Sequence, residues 1–204
     1  MGNCERAIRK NENLKYMEYI PYLLDLIPIN KMLNQTAFNI MEQFFYSGLN
    51  RVQTNNIIKK TGYDFKTVKK YLNDLTKLDL VKVHKDLNIP TYEANYRNKF
   101  FLNIKREKIV DDIFMSGLPR CLNKKLGEQP CILFGSCARG DYYEDSDIDI
   151  FIQSTKVKLD VNEYEKRLKR KINFFFEEKW QNLNEGMKTG LLNDGISING
   201  RLKL

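Results

Sequence analysis

One histidine, one tryptophan, and four cysteines without a C-x-x-C pair remove several function classes at once. With only His84 available, neither a histidine-built metal site nor a Ser-His-Asp triad is expected. His84 sits in the alternating run 80–85 and reads as an ordinary strand residue. The cysteines, at positions 4, 121, 131 and 137, show no regular framework, so a reduced, cytoplasmic protein is expected. No segment approaches 18 uninterrupted apolar residues, and the opening M-G-N-C-E-R-A-I-R-K lacks the apolar core of a signal peptide. Neither a membrane span nor export is expected. Gly2 and Cys4 hint at an acylation site, but Arg6 stands where serine or threonine belongs. Acidic residues are the scarcer charge, 26 against 34 Lys and Arg, leaving +8. That balance suits an anionic partner, whether nucleic acid, nucleotide or an acidic protein surface; a solvated lysine-rich surface gives the same number.

What is present is a globular composition, 42% hydrophobic and 12% aromatic. At 204 residues the chain forms one domain or two small ones. The most informative stretch is F-G-S-C-A-R-G-D-Y-Y-E-D-S-D-I-D-I-F-I, residues 134–152. In an extended strand side chains alternate faces, so Asp147 and Asp149 share one face while Ile148, Ile150 and Ile152 point into a core. Two carboxylates on one face suit Mg²⁺, which takes oxygen ligands and commonly completes its shell with water and substrate phosphates. Gly135 lets backbone approach closely. Ser136 offers a hydroxyl and N–H groups where a helix would begin, a place that favours anions.

This segment resembles the signature of the polymerase beta type nucleotidyltransferase superfamily, a G-S turn with a downstream D-x-D. It is most similar to the minimal nucleotidyltransferase branch, whose turn reads G-S-x-A-R-G; Gly135, Ser136, Ala138, Arg139, Gly140, Asp147 and Asp149 all match. The resemblance covers about a third to a half of the chain. It implies a nucleoside triphosphate gripped by the Ser136 turn and Mg²⁺ held by Asp147 and Asp149. Arg139 would neutralise phosphate charge or anchor the turn through a salt bridge. Asp141, Glu144 and Asp145 lie in the loop and are expected to face water, a metal-ligand role for Asp145 being the alternative.

Family enzymes usually add a third carboxylate from the neighbouring strand. In K-I-N-F-F-F-E-E, alternation instead places Asn173 beside the two aspartates, with Phe175 on the same face and Ile172, Phe174 and Phe176 opposite. Asparagine offers a neutral oxygen ligand but accepts no proton. Glu177 or Glu178 would have to substitute from the strand end.

Upstream, residues 36–46 carry Phe38, Met41, Phe44 and Phe45 at helical spacing, ending near Gly48. Thr54 is expected to cap a short helix that stops at Gly62. The next helix starts from Asp64 with Val68, Leu72, Leu75 and Leu78 as its buried stripe. Between them lies T-G-Y-D-F, a turn of the helix-turn-helix kind, and afterwards L-V-K-V-H-K and T-Y-E-A-N-Y-R read as a hairpin or wing. The whole resembles a winged helix-turn-helix domain, most recognisably in K-T-V-K-K-Y-L-N-D-L-T-K-L-D-L-V. Residues 36–99 hold eleven Lys and Arg against six Asp and Glu. Lys66, Lys69 and Lys70 fall opposite the leucine stripe, where they would reach a DNA groove or its phosphates. The rival reading is a helical module for dimerisation or docking whose lysines only solvate.

Residues 98–126 read as helices divided by Pro119, and Pro130 introduces the strand C-I-L-F that delivers Gly135 and Ser136. Beyond the D-x-D strand, Asp160 is expected to cap a charged helix. I-N-F-F-F forms a further strand, a helical region spans 177–193, and a short strand I-S-I follows Gly195. Residues 14–32, broken by Pro21 and Pro28, read as a helix packing on the winged domain or on a second subunit of a homodimer.

The expected fold class is α+β. An N-terminal helical segment (1–33) precedes a winged helix-turn-helix domain (34–97), linking helices (98–127) and a small mixed-sheet nucleotidyltransferase domain (128–204). The expected function is Mg²⁺-dependent transfer of a nucleoside monophosphate to a hydroxyl acceptor on protein, RNA or a small molecule, targeted or regulated by the DNA-binding module. The alternative is a DNA-binding regulator, or an antitoxin bound to a partner toxin, that keeps a degenerate nucleotide-binding fold. The nucleotide's base is left open.

Overall fold

The computed structural model describes residues 33–86 and 88–204, and the helix read at 14–32 lies outside them, as do Gly2 and Cys4. Residues 40–204 form one unit, and residues 1–39 fall in another. Helix α1 spans Gln35–Glu42, with Asn34 Oδ1 accepting from the Ala37 N–H at 2.9 Å. A two-residue strand β1 (Val52–Gln53) leads into α2 (Thr54–Thr61). Thr54 is the first helical residue rather than the cap: Gln53 holds the cap position and makes no side-chain bond there. Gly62 ends α2 at φ +73°, a left-handed turn that glycine enters without steric cost, and its N–H closes on the Ile58 carbonyl. Asp64 then caps α3 (Phe65–Lys77), accepting from Thr67 N at 3.0 Å and Thr67 Oγ1 at 2.6 Å. Those bonds hold the Asp64 carboxyl below its ordinary pKa.

Val68, Leu72 and Leu75 are buried along α3, as the heptad-like spacing requires; Leu78, 36% exposed, terminates the helix instead of joining the stripe. Strands β2 (Val81–His84) and β3 (Thr91–Ala94) form an antiparallel hairpin with Val83 opposite Tyr92, and β1 adds to β3 for the order β1-β3-β2. Helix α4 (Lys99–Ser116) is capped by Asn98, whose Oδ1 accepts from the N–H groups of Phe100 and Phe101. The break before α5 (Leu118–Leu126) falls at Gly117, φ +86°; Pro119 sits in the first turn of α5, where its missing N–H costs nothing.

The second sheet comprises β4 (Cys131–Phe134), β5 (Ile148–Ile152), β6 (Ile172–Phe176) and β7 (Ile196–Asn199) in the order β6-β5-β4-β7. β5 and β6 run parallel while the other two pairs are antiparallel, so the sheet is mixed. Between β4 and β5 lies the short helix α6 (Gly135–Arg139), and between β5 and β6 lies α7 (Asn162–Leu168). Asp160 does not cap α7 through its first turn; it accepts from Asn162, and Val161 holds the cap position. The helical region read at 177–193 resolves into a 3₁₀ turn (Trp180–Asn182) and α8 (Glu185–Asn193), because Asn184 caps a fresh start at Met187 N.

One sheet face is the main core: Ile148, Ile150, Ile152 and Ile172 pack with Ile109, Ile113, Leu118 and Leu122 of α4 and α5. Each such side chain contributes about 1.5–3 kcal/mol relative to an exposed one. On the opposite face Ile132 and Phe151 are sealed by Leu183 and Leu191. That cover reaches Phe134 only in part, and the row Phe134, Asp149 and Asn173 is half-buried. Among the described residues no helix is long and apolar enough to cross a membrane.

Candidate functional site

This half-buried row is where the sequence placed its chemistry. Phe134 lies opposite Asp149 on β4, and Asn173 lies opposite Asp149 on β6. Asn173 Nδ2 donates to Asp147 Oδ2 and to Asp149 Oδ1, each at 3.1 Å. Two carboxylates can only accept, so the amide turns its NH₂ toward them and its partial positive charge eases their mutual repulsion. Asp147, Asp149 and Asn173 are thus brought together as the period-two reading required.

Gly135 adjoins this cluster at φ +73°, and a Cβ built there would stand 2.8 Å from Asp149 Oδ2. The glycine is therefore the space in which the carboxylate sits. Ser136 follows, half-buried in the first turn of α6, and its carbonyl accepts from the Gly140 N–H that closes the helix. Gly140 has a separate reason to be glycine: a Cβ there would lie 2.1 Å from the Leu102 carbonyl of α4. The two glycines of the motif accommodate a carboxylate and a neighbouring helix backbone. Cys137, buried, donates through Sγ to the Asp147 carbonyl at 3.4 Å, tying α6 to the start of β5.

Arg139 is exposed, and its Nε donates to Asp141 Oδ2 at 3.0 Å, so in this structure it anchors the turn. Asp141 is half-buried by this pairing, whereas Glu144 and Asp145 face water. Glu177 and Glu178 do not reach the carboxylate pair. They follow the far end of β6, where Phe176 pairs with Ile152, a four-residue step of about 13 Å from Asn173 along the strand. Glu177 Oε1 is engaged there by Lys179 N and Asn182 Nδ2. Because β6 runs parallel to β5, its carboxyl end lies away from Asp149, and neither glutamate stands beside the carboxylate pair.

Two cations that the motif does not contain hold the loop carrying Asp147. Arg170 Nη1 donates to the carbonyls of Tyr143, at 2.8 Å, and Ser146. Lys105, fully buried on α4, donates to the Tyr142 carbonyl and to Tyr96 Oη at 3.3 Å. Its Nζ lies 4.3 Å from the ring centroid of Tyr142, 4.7 Å from Tyr96 and 5.7 Å from Tyr143, so π faces stand in for a counter-ion. Among the described residues no carboxylate forms an ion pair with it. Burial pushes the Lys105 amine down to about 7, Arg170 adding to the effect while Asp141 and Cys137 oppose it. Tyr142, whose Oη donates to the Lys105 carbonyl at 3.0 Å, is raised far above the ordinary phenol range by the same burial. A signal for Lys105 was present: it stands four residues from both Phe101 and Ile109, within the buried stripe of α4.

In the upstream module Lys66 and Lys70 are exposed, while Lys69 is half-buried and its Nζ donates to Tyr92 Oη at 2.8 Å. That bond ties α3 to the hairpin.

A mixed sheet with a G-S turn beside two convergent carboxylates has the architecture of a nucleotide-handling domain. Residues 115–183 match the family model described as a nucleotidyltransferase domain. The match supports the nucleotidyltransferase superfamily for this part of the chain, and with it transfer of a nucleoside monophosphate in general terms, from a nucleoside triphosphate. No curated protein matches the chain.

Proposed function

We propose that the chain is a Mg²⁺-dependent nucleotidyltransferase that moves a nucleoside monophosphate from a triphosphate onto a hydroxyl acceptor. The observation that carries the reading is the convergence of Asp147 and Asp149 on one amide beside Gly135 and Ser136. The donor set fits a hard cation: two carboxylate groups with an amide that can present oxygen in place of nitrogen, and room for water and phosphate oxygens. No group of three or more His, Cys, Asp or Glu side chains forms among the described residues, so Asp147 and Asp149 would hold the ion with Asn173 as a neutral neighbour. Bound Mg²⁺ supplies neutralisation of the phosphate charge that builds during transfer.

The chain's own residues do the rest. Ser136 and the N–H groups that begin α6 hold the phosphates, and Asp147 and Asp149 orient the reacting end. The acceptor oxygen attacks the α-phosphorus in line; a new P–O bond forms as the bond to the β-phosphate oxygen breaks, and pyrophosphate leaves. Asn173 accepts no proton, so the hydroxyl proton passes to an aspartate carboxylate or to solvent. Lys105 and Arg170 hold the loop that presents Asp147. Incubation with labelled ATP, GTP, CTP or UTP and hydroxyl acceptors tests the reading. Mg²⁺-dependent labelling that Asp147→Ala abolishes supports it, and labelling indifferent to both Mg²⁺ and the substitution refutes it.

A second reading is favoured by Asn173 and by the upstream module. The two packed helices, the α2–α3 turn and the β2–β3 hairpin support a winged helix-turn-helix domain, with Lys66 and Lys70 offered to DNA phosphates and Lys69 bracing α3 on Tyr92. On this reading the chain is a DNA-binding regulator, or an antitoxin in complex with a partner, and the nucleotidyltransferase fold senses nucleotide. Duplex binding that weakens steeply with salt distinguishes it from a docking module.

A further inference from the structure

Among the large apolar side chains Phe175 stands out, because it is 44% exposed beside the carboxylate pair rather than at a remote surface. Its strand neighbours Phe174 and Phe176 pack into the main core, as alternation demands. Phe175 occupies the other face, two residues beyond Asn173, a step of about 7 Å along the strand. Its register partner Phe151 is buried, and its ring meets Phe134 edge to face with centroids 5.3 Å apart and planes at 76°. Phe134 in turn lies opposite Asp149 and immediately precedes Gly135 and Ser136. An open aromatic surface thus borders both the carboxylates and the G-S turn. An exposed phenylalanine held in place by a second ring forgoes burial energy that its neighbours gain.

Resting on the nucleotidyltransferase reading, we propose that Phe175, braced by Phe134, is the platform on which the nucleobase of the triphosphate stacks. With the phosphates held at Ser136 and the α-phosphate beside the Mg²⁺ that Asp147 and Asp149 would hold, the ribose spans the step from the carboxylate row to the aromatic row. The base then meets a π face. Such a surface reads no donor or acceptor on the base edge, so all four nucleotides bind with similar affinity, purines modestly ahead through larger stacking area. Phe175 sets affinity for the nucleoside half of the ligand, and Ser136 with the aspartates sets affinity for the phosphate half.

Calorimetric titration of the full chain with Mg²⁺ and ATP, GTP, CTP, UTP or inorganic tripolyphosphate separates the two halves. The expected result is that each nucleotide binds more tightly than tripolyphosphate. Phe175→Ala should weaken nucleotide binding about 5- to 150-fold, the range set by one base–aromatic stack, and leave tripolyphosphate unchanged, while Phe175→Trp retains nucleotide affinity. Equal affinity of the wild type for nucleotide and tripolyphosphate overturns the platform but leaves the phosphate site standing. Loss of both ligands in Phe175→Ala also overturns it, since the side chain would then support the sheet rather than the base. If Phe175→Ala binds nucleotide normally and loses only transfer to the acceptor, Phe175 belongs to the acceptor and the proposal fails. If the wild type binds neither ligand, the underlying nucleotidyltransferase reading falls, and the platform with it.

Discussion

Replacing Lys105 with methionine removes a buried amine while keeping an unbranched side chain in the tyrosine cage. In the folded protein this amine titrates at about 7. In the unfolded chain it behaves as an ordinary lysine near 10.4, and the gap corresponds to a burial penalty on the order of 5 kcal/mol when the group is charged. Below about pH 7 both states carry the proton and the full penalty applies. Between about pH 7 and the ordinary lysine value the unfolded chain binds more protons, so stability rises with pH, by at most about 1.4 kcal/mol per pH unit from this residue. Lys105→Met cannot titrate. The difference in unfolding free energy, wild type minus variant, is therefore expected to grow by about 2 kcal/mol between roughly pH 7 and pH 9. Loss of the hydrogen bond to the Tyr142 carbonyl adds a constant offset of about 1–3 kcal/mol without altering that slope. Denaturant unfolding of both proteins across this range measures it. Parallel pH profiles would refute the claim that the caged amine is held near neutrality.

Gly135→Ala places a methyl group against Asp149 and forces a side chain into a left-handed conformation, φ +73°. It is expected to cost about 1–2 kcal/mol in stability and to displace the carboxylate, so Mg²⁺-dependent nucleotide binding should fall at least about tenfold in the same titrations. Asn173→Asp loses the amide that donates to both aspartates and adds a third like charge. Its melting temperature should drop without divalent ion and recover disproportionately with Mg²⁺ relative to wild type, and transfer activity should rise; a Mg²⁺ response equal to wild type would count against metal binding at this row. For the upstream module, replacing Lys66 and Lys70 with alanine should lower the slope of log affinity against log salt by about one per lysine if they contact duplex phosphates, as read by fluorescence anisotropy at several salt concentrations.

The parts of this fold that were legible in the sequence are those governed by local rules. Alternation alone put Asp147 and Asp149 on one face and found Asn173 as the residue opposite Asp149, and it put Phe175 on that face as well. Gly62, Asp64 and Asn98 act within one or two turns of their own positions, and the sequence pattern marks the first two as a stop and a cap. What escaped was long-range. The parallel direction of β6 removes Glu177 and Glu178 from the site, and no local pattern reports strand direction. Lys105 and Arg170 reach loop carbonyls 37 and 24–27 residues away in the chain, bonds that depend on how α4 and the α7–β6 turn pack. The need for glycine at position 140 likewise arises from the approach of α4, and sequence showed only that a glycine was there. The degree of exposure of Phe175 depends on where the cover from α8 stops, which no strand pattern encodes.

Equilibrium binding of a nucleoside triphosphate with and without Mg²⁺, in the wild type and in Asp149→Ala, decides whether the carboxylate row is a nucleotide and metal site. Binding is expected to require Mg²⁺ and to be lost in the variant while its melting profile retains a single folded transition. Binding that ignores both the ion and the missing carboxylate would contradict it.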